Sequence, residues 1–276
     1  MATVPILISS GIISHRIADG ERKEGVQSEY DGFAEDYDWL FSDSNLTGES
    51  RFDSLRPVLE SLPATSRILD CACGTGILAL ALAQRGYNVF GTDASEGMVK
   101  VAKERAAREG LSIPFQVCPW TDLPKGIDTK FDLAVCCGNS IGHCRDAEDM
   151  IRSLRGIRSA LKNDGQLVLD TRNWEKLLAE RTRFTHYAPR VRNGKRCIPL
   201  YVWNFPLTVG EPIHVEVVLP IEQAGKAELH SYSVAYHPFT FQELEARLEE
   251  AGFTTVSSNY SQHCAEYQVL ARCRSG

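Results

Sequence analysis

An apolar run that ends in an acid, crosses two glycines and opens at once into a helix former is the feature that leaves this chain the fewest folds. Arg67-Ile68-Leu69-Asp70 reads as a strand, Cys71-Ala72-Cys73-Gly74-Thr75-Gly76 as a tight loop, and Ile77-Leu78-Ala79-Leu80-Ala81-Leu82-Ala83 as a helix. Glycines in such a loop let a ligand approach bare backbone, and the helix N-terminus behind them offers unpaired N–H groups. The pattern predicts a nucleotide-like ligand.

The surrounding residues narrow which one. Gly74 and Gly76 are followed by Leu78 and Ala79 with no third glycine, so the dinucleotide fingerprint is not met, and no Gly-Lys-Ser/Thr of a Walker loop occurs. Asp93 stands 19 residues beyond Gly74, after a second apolar run at 88–92. An acid there is placed to hold a ribose diol. Asp70, just before the loop, suits a positively charged amine better than a pyrophosphate. S-adenosylmethionine carries an ammonium, a sulfonium and a ribose without a phosphate, and it matches this pair of acids. The alternative is a structural turn of the same type that holds no ligand.

Composition sets the outer bounds. At 276 residues, with 43% hydrophobic and 24% charged residues, the chain suits one large soluble domain or a domain with an insertion. A net charge of −6 provides no basic face for nucleic acid. The nine cysteines form no C-x-x-C pair, and Cys71, Cys73, Cys136 and Cys137 fall on predicted strands or the glycine loop. Reduced core thiols in a cytoplasmic protein, with no metal site, are expected. Residues 5–13 are apolar but short and lack a basic start, so neither a signal peptide nor a membrane span is expected.

Taken in order, residues 1–27 lack periodicity and are expected to form a mobile arm. Tyr30, Phe33, Tyr37 and Phe41 recur at helical spacing. That face either packs on the core or acts as a lid whose tyrosines close over ligands. A helix is expected at 49–62, then helix 77–85, strand 88–92, helix 95–110, strand 115–118, strand 131–137, helix 147–161 stopped by Asn163-Asp164-Gly165, and strand 166–170. Continuous apolar strands alternating with helices predict an α/β fold built on a parallel sheet covered on both faces, with ligands at the carboxyl ends of its strands. Gly74, Asp93, Trp120, Asn139 and Arg172 fall at those ends. From 171 to 238 the periodicity changes to alternation at 200–205, 213–219 and 229–236, which predicts an inserted antiparallel sheet on the substrate side. A helix at 241–252 and strands at 253–260 and 267–273 complete the pattern. The expected organisation is an arm (1–27), a core with the cofactor site (28–170), the insertion (171–238) and the C-terminal part of the core (239–276).

With these residues in view, the chain over roughly 30–275 resembles class I S-adenosylmethionine-dependent methyltransferases, and among them the glycine and glycine/sarcosine N-methyltransferases. The carriers are Leu69-Asp70-Cys71-Ala72-Cys73-Gly74-Thr75-Gly76, Asp93-Ala94-Ser95, Cys137-Gly138-Asn139-Ser140-Ile141-Gly142-His143 and Asp170-Thr171-Arg172-Asn173-Trp174. The resemblance implies a Rossmann-like fold with a mostly parallel seven-stranded sheet. It implies that the first block holds the methionine end of the cofactor, that Asp93 holds the ribose and that Trp120 lies beside the adenine. Tyr37, Ala94, Met98, Thr121 and Cys137 are expected on the cofactor side as well. It further implies that Asn139 faces the acceptor amine and Arg172 its carboxylate, with Tyr30, Tyr201 and Tyr236 as further contacts. Ala72 replaces the first glycine of the commoner class I loop. Pro119 replaces an acid that many class I enzymes use for the adenine amino group.

The chemistry asked of these residues is modest, because a sulfonium is already a strong electrophile and the protein has mainly to align, exclude water and keep the amine neutral. The planar fork of Arg172 matches a carboxylate with two parallel hydrogen bonds. Asn139 is expected to accept from the amine through its side-chain oxygen. His143 is either a proton acceptor or, more in keeping with such a position, a hydrogen-bonded support. Three readings follow: an N-methyltransferase of glycine, sarcosine or a similar small amino acid; a methyltransferase of another small amine or carboxylic acid; and a cofactor-binding regulatory protein without turnover.

Overall fold

The computed structural model describes residues 28–274 apart from residue 209. The arm expected over 1–27 lies outside the described residues. A 3-10 turn at Tyr37–Leu40 is followed by α1 (Asp43–Leu46), α2 (Glu49–Glu60), β1 (Arg67–Asp70), α3 (Ile77–Gln84), β2 (Asn88–Asp93), α4 (Glu96–Arg108) and β3 (Phe115–Val117). Then come α5 (Leu123–Gly126), β4 (Phe131–Cys136), α6 (Ala147–Ala160), β5 (Leu161–Arg172) and α7 (Trp174–Glu180). Six strands follow: β6 (Phe184–His186), β7 (Arg190–Arg192), β8 (Lys195–Cys197), β9 (Leu200–Asn204), β10 (Ile213–Gln223) and β11 (Lys226–Tyr236). The described chain closes with α8 (Phe241–Glu250), β12 (Phe253–Ser258) and β13 (Glu266–Cys273).

Seven strands form one sheet in the order β12-β13-β5-β4-β1-β2-β3. The five from β5 to β3 run parallel, whereas β13 is antiparallel to both its neighbours. This is the mostly parallel, Rossmann-like sheet that the apolar runs predict. Ile68, Leu69, Leu133, Ala134, Val135, Val168 and Leu169 are fully buried because helices cover both faces. The chain winds outward from β1 in both directions, so a crevice opens beyond the carboxyl ends of β1 and β4. Helix starts are capped where the sequence offers it: Ser95 accepts from the Met98 N–H (3.1 Å), and Thr240 with Glu243 forms a capping box on α8.

The second sheet runs β6-β9-β10-β8-β7 with β11 against β10, antiparallel throughout. Its buried face, with Tyr201, Trp203, Val215, Val217, Val234 and Tyr236, belongs to the same core cluster as Leu69, Cys136 and Leu169. The sheet therefore lies over the side of the crevice formed by the ends of β4 and β5.

Several expectations are corrected. Residues 30–36 are turns rather than helix, with only Tyr37–Leu40 helical, because tertiary tethers replace helix bonds. Asp31 accepts from Ser95 Oγ (2.6 Å) and the Gly97 N–H (3.0 Å), Tyr232 donates to Asp36 (2.6 Å), and Asp38 pairs with Arg105 (2.6 Å). The aromatic side chains still cluster, with Tyr30–Tyr37, Phe33–Tyr37 and Tyr37–Phe41 centroids 5.9, 5.3 and 5.2 Å apart. β5 begins at Leu161 and runs through Asn163-Asp164-Gly165, the segment expected to be a turn. Helix α7 and the three-residue strands β6, β7 and β8 were not expected, since three residues carry too little alternation to be legible.

Helix α6 packs its Gly156 against the turn that carries Trp120. A Cβ at Gly156 would stand 2.0 Å from the Trp120 carbonyl oxygen, and backbone cannot step aside as a side-chain end can. Gly156→Ala is expected to cost about 1–3 kcal/mol by overpacking. Thermal unfolding should show a midpoint lowered by several degrees, and an unchanged midpoint would mean that α6 and the Trp120 turn separate freely.

Candidate active site

At the carboxyl end of β1 the backbone must turn sharply into α3, and two glycines permit it. Gly74 (φ 51°) and Gly76 (φ 82°) both take the left-handed region that favours glycine. They differ in role. A Cβ on Gly74 would meet nothing nearer than a Tyr37 ring carbon at 3.8 Å, so that backbone faces a cavity. A Cβ on Gly76 would stand 3.0 Å from Ala102, so Gly76 serves the packing of α3 on α4 and, contrary to expectation, does not line the cavity.

The cavity measures about 300 Å³ and takes in Tyr37, Asp70, Ala72, Gly74, Asp93, Ala94, Met98, Trp120, Thr121 and Cys137, all expected on the cofactor side. Asp93 accepts from the Gly74 N–H (2.8 Å) and the Ser95 N–H (2.9 Å), which locks the glycine loop to the end of β2. Burial pushes its carboxyl up, against the lowering effect of those N–H groups. Trp120 donates its indole N–H to the Cys71 carbonyl (2.6 Å), so the ring is fixed and only its face is left for a ligand. Asp70 is buried, and its Oδ2 has no hydrogen-bond partner. Burial pushes its carboxyl up to about 7, with the nearby Arg51 charge pulling the other way. A buried acid with one oxygen left unpartnered, beside open loop backbone, fits a ligand that brings a cation.

A second cavity of about 580 Å³ lies under the antiparallel sheet and holds Asn139, Arg172, Tyr201 and Tyr236. Tyr30, Tyr37, Phe41, Arg51 and Gly138 border both cavities, so the two adjoin. Asn139 sits at φ 64° after Gly138, a tight turn held because Asp170 accepts both the Gly138 N–H (2.6 Å) and the Asn139 N–H (2.9 Å). The expected role of the Asn139 oxygen is corrected. That oxygen accepts from the Arg172 N–H (2.9 Å) and from Thr171 Oγ1 (3.0 Å), while Thr171 in turn accepts from the Trp174 indole N–H (3.2 Å). Only the amide nitrogen, buried and without a partner within hydrogen-bond distance, remains for a ligand. It donates; it cannot accept from an amine.

Arg172 projects from the end of β5, its guanidinium carbon 5.3 Å from the Trp203 ring and its Nε buried without a partner. Burial alone would weaken its charge, but the high intrinsic basicity of a guanidinium and the nearby Glu266 carboxylate keep it protonated. His143 borders the first cavity and not the second. It donates from Nδ1 to the Ala235 carbonyl (2.9 Å), which leaves Nε2 to accept from the Tyr30 hydroxyl (2.9 Å). Burial pushes its pKa down to about 4, so it is a neutral support for Tyr30. Burial likewise raises Tyr30, Tyr37, Tyr201 and Tyr236, which stay protonated.

Sequence reasoning missed Arg51, Tyr187 and Glu266. Arg51 stands on α2 with its guanidinium nitrogens 3.2 and 3.3 Å from where a Gly138 Cβ would be. The nearby carboxyl groups of Asp170 and Asp70 favour its charge against the opposing effect of burial. Nothing in Glu49-Ser50-Arg51-Phe52 distinguishes this arginine from a solvated one.

The comparisons agree with this geometry. A methyltransferase-domain family model matches residues 68–165. The chain is 33% identical over 167 residues to a glycine/sarcosine N-methyltransferase of Aphanothece halophytica, a match covering 58% of this chain and 61% of that one. It thus spans less than two thirds of that relative's length. It is 30% identical over 206 residues to a glycine N-methyltransferase of Homo sapiens, covering 67% of this chain and 68% of that one. In structure it is similar to an S-adenosylmethionine-dependent methyltransferase of Clostridium acetobutylicum, with a TM-score of 0.71 and 18% identity over 90% of this chain and 100% of that one. Among the described residues no helix is long and apolar enough to cross a membrane. On the human match, the family model and the shared fold together, this chain belongs to the S-adenosylmethionine-dependent methyltransferases, and S-adenosylmethionine is its cofactor.

Proposed function

We propose that the protein transfers a methyl group from S-adenosylmethionine to the amine of glycine, sarcosine or a similar small amino acid. The observation that carries this reading is a charged, largely enclosed guanidinium, Arg172, with its Nε buried, in a cavity that adjoins the cofactor cavity. The cofactor supplies the electrophilic methyl. Asp70 is placed to take its ammonium and Arg51 its carboxylate, since both line the first cavity, Asp70 at the end of β1 and Arg51 beside Gly138. Trp120 offers a ring face for the adenine.

On the acceptor side, Arg172 fixes the carboxylate through its fork and the Asn139 amide nitrogen adds one donor. The neutral amine has at most two N–H bonds, and two of the protonated hydroxyls among Tyr30, Tyr37, Tyr201 and Tyr236, which line this cavity, accept them without carrying charge. The positive charge of Arg172 nearby disfavours an ammonium and so favours the neutral nucleophile. The second sheet and the aromatic turn exclude water, which raises the value of each of these contacts.

The size of the acceptor cavity favours a second reading, in which the acceptor is a larger amine that carries an acid. Assaying transfer to glycine, sarcosine, larger amino acids and amines without a carboxylate separates the two. The proposal expects turnover only where amine and carboxylate stand on one carbon. Preference for amines that lack a carboxylate would overturn it.

A further inference from the structure

Arg172 does not stand alone in the acceptor cavity. In the antiparallel register of β13 with β5, Glu266 lies directly opposite it, and both side chains border the same space. The separation from Glu266 Oε1 to the nearest guanidinium nitrogen is 3.7 Å, close enough for attraction and too long for a formed hydrogen bond. The partners differ in freedom: the Arg172 side chain is 23% exposed and stacked over Trp203, whereas that of Glu266 is 67% exposed. A fixed cation thus faces an anion free to turn outward, and the Nε edge of the guanidinium is left without a partner.

We infer that Glu266 is an internal competitor for the acceptor's carboxylate, a specificity-determining residue that answers the Arg172 charge until a ligand carboxylate takes over. The inference rests on the reading of Arg172 as a carboxylate anchor. A carboxylate that binds the Arg172 guanidinium inside the cavity it shares with Glu266 comes close to the Glu266 carboxylate, and the two anions repel unless Glu266 swings away. The residue therefore weakens the binding of small monocarboxylates and screens the site against weakly held anions. Asp170, the other acid bordering this cavity, spends its Oδ1 on two backbone N–H groups and is not a rival for Arg172.

The test compares the parent with Glu266→Gln and Glu266→Asp, using sodium acetate as the smallest carboxylate probe. Acetate is titrated calorimetrically into protein saturated with S-adenosylhomocysteine, and glycine kinetics are measured in parallel. Glu266→Gln is expected to bind acetate about three- to fivefold more tightly, as for removal of one partly exposed charge. The KM for glycine should fall by the same factor, with the change in kcat/KM carried by KM. Glu266→Asp, which keeps the charge on a shorter stem, should fall between the two. Acetate binding that is unchanged or weaker in Glu266→Gln overturns the inference, because Glu266 would then be neutral or would attract the ligand's ammonium. A parent that binds acetate yet fails to methylate glycine sinks the glycine assignment while the acetate series still decides the role of Glu266. A parent that binds no carboxylate overturns both.

Discussion

Replacing Arg172 by leucine is expected to lower kcat/KM for glycine-like acceptors by at least about 100-fold while cofactor affinity stays within about threefold. Among the described residues that line the second cavity, Arg172 and Arg51 are the cationic side chains, and Arg51 borders the first cavity as well. With a leucine in place of Arg172, the acceptor's carboxylate would lie under Tyr201 and Tyr236 with only the protonated phenols and the Asn139 amide nitrogen close by. Removing one partner of a buried charge pair costs about 3–5 kcal/mol, most of it the desolvation of the charge left behind. Arg172→Lys should recover only part, since an ammonium keeps the charge but loses the fork. The loss of Arg172 packing over Trp203 is a separate effect, and it would appear in thermal stability rather than in a difference between acceptors. Steady-state kinetics with glycine and with an amine lacking a carboxylate therefore isolate the anchor. Normal glycine turnover in the leucine variant would remove Arg172 from that role.

The two halves of the site differ in how far the sequence displays them. The cofactor side is built from β1, its loop and the end of β2, three pieces that follow one another within about 25 residues and carry glycines and acids at fixed offsets. Local spacing suffices there because a strand, a turn and a helix start are each specified by nearby residues. The acceptor side gathers the ends of β4 and β5, the inner face of β9 and β11, the start of β13 and the aromatic turn. No local pattern connects these. Tyr201 and Tyr236 are recognisable only through resemblance, and Glu266 only through the β13 register with β5. Asn139 shows the limit at atomic scale: its position is legible in Gly138-Asn139, but which of its side-chain atoms faces the cavity depends on the Arg172 N–H 33 residues away. The aromatic segment at 30–41 failed differently. Its period put four rings on one face, as found, while Asp31, Asp36 and Asp38 tie the backbone to α4 and β11 and leave turns where the period predicted helix.

Cofactor binding is expected to release close to one proton at about pH 6, with the release fading as pH rises through about 7, because Asp70 must ionise to meet the incoming ammonium. Its carboxyl sits at about 7 in the cofactor-free protein, raised chiefly by burial, and its Oδ2 has no partner. The cofactor's α-ammonium remains protonated below about 7.7, so between pH 5 and 7 only the protein's side of the pair changes charge. Apparent affinity should therefore rise by about tenfold per pH unit across that window, level off near pH 7 and fall above about 7.7 as the free ligand loses its ammonium proton. For the cofactor-free protein the sign is reversed. The folded state holds this proton more tightly than the unfolded chain, whose carboxyl has an ordinary value near 3.8, so the contribution of Asp70 to stability falls as pH rises from about 4 to about 7. Asp70→Asn keeps the shape and abolishes the ionisation. It should bind the cofactor no better than the parent does near pH 5 and show no slope between pH 5 and 7. Calorimetry in buffers of different ionisation enthalpy counts the released protons directly. Asp93, which burial also raises, is the competing source, but its oxygens already accept from the Gly74 and Ser95 N–H groups. A pH slope that survives in Asp70→Asn would transfer the linkage to Asp93, and a flat profile in the parent would mean that Asp70 is ionised before the cofactor arrives.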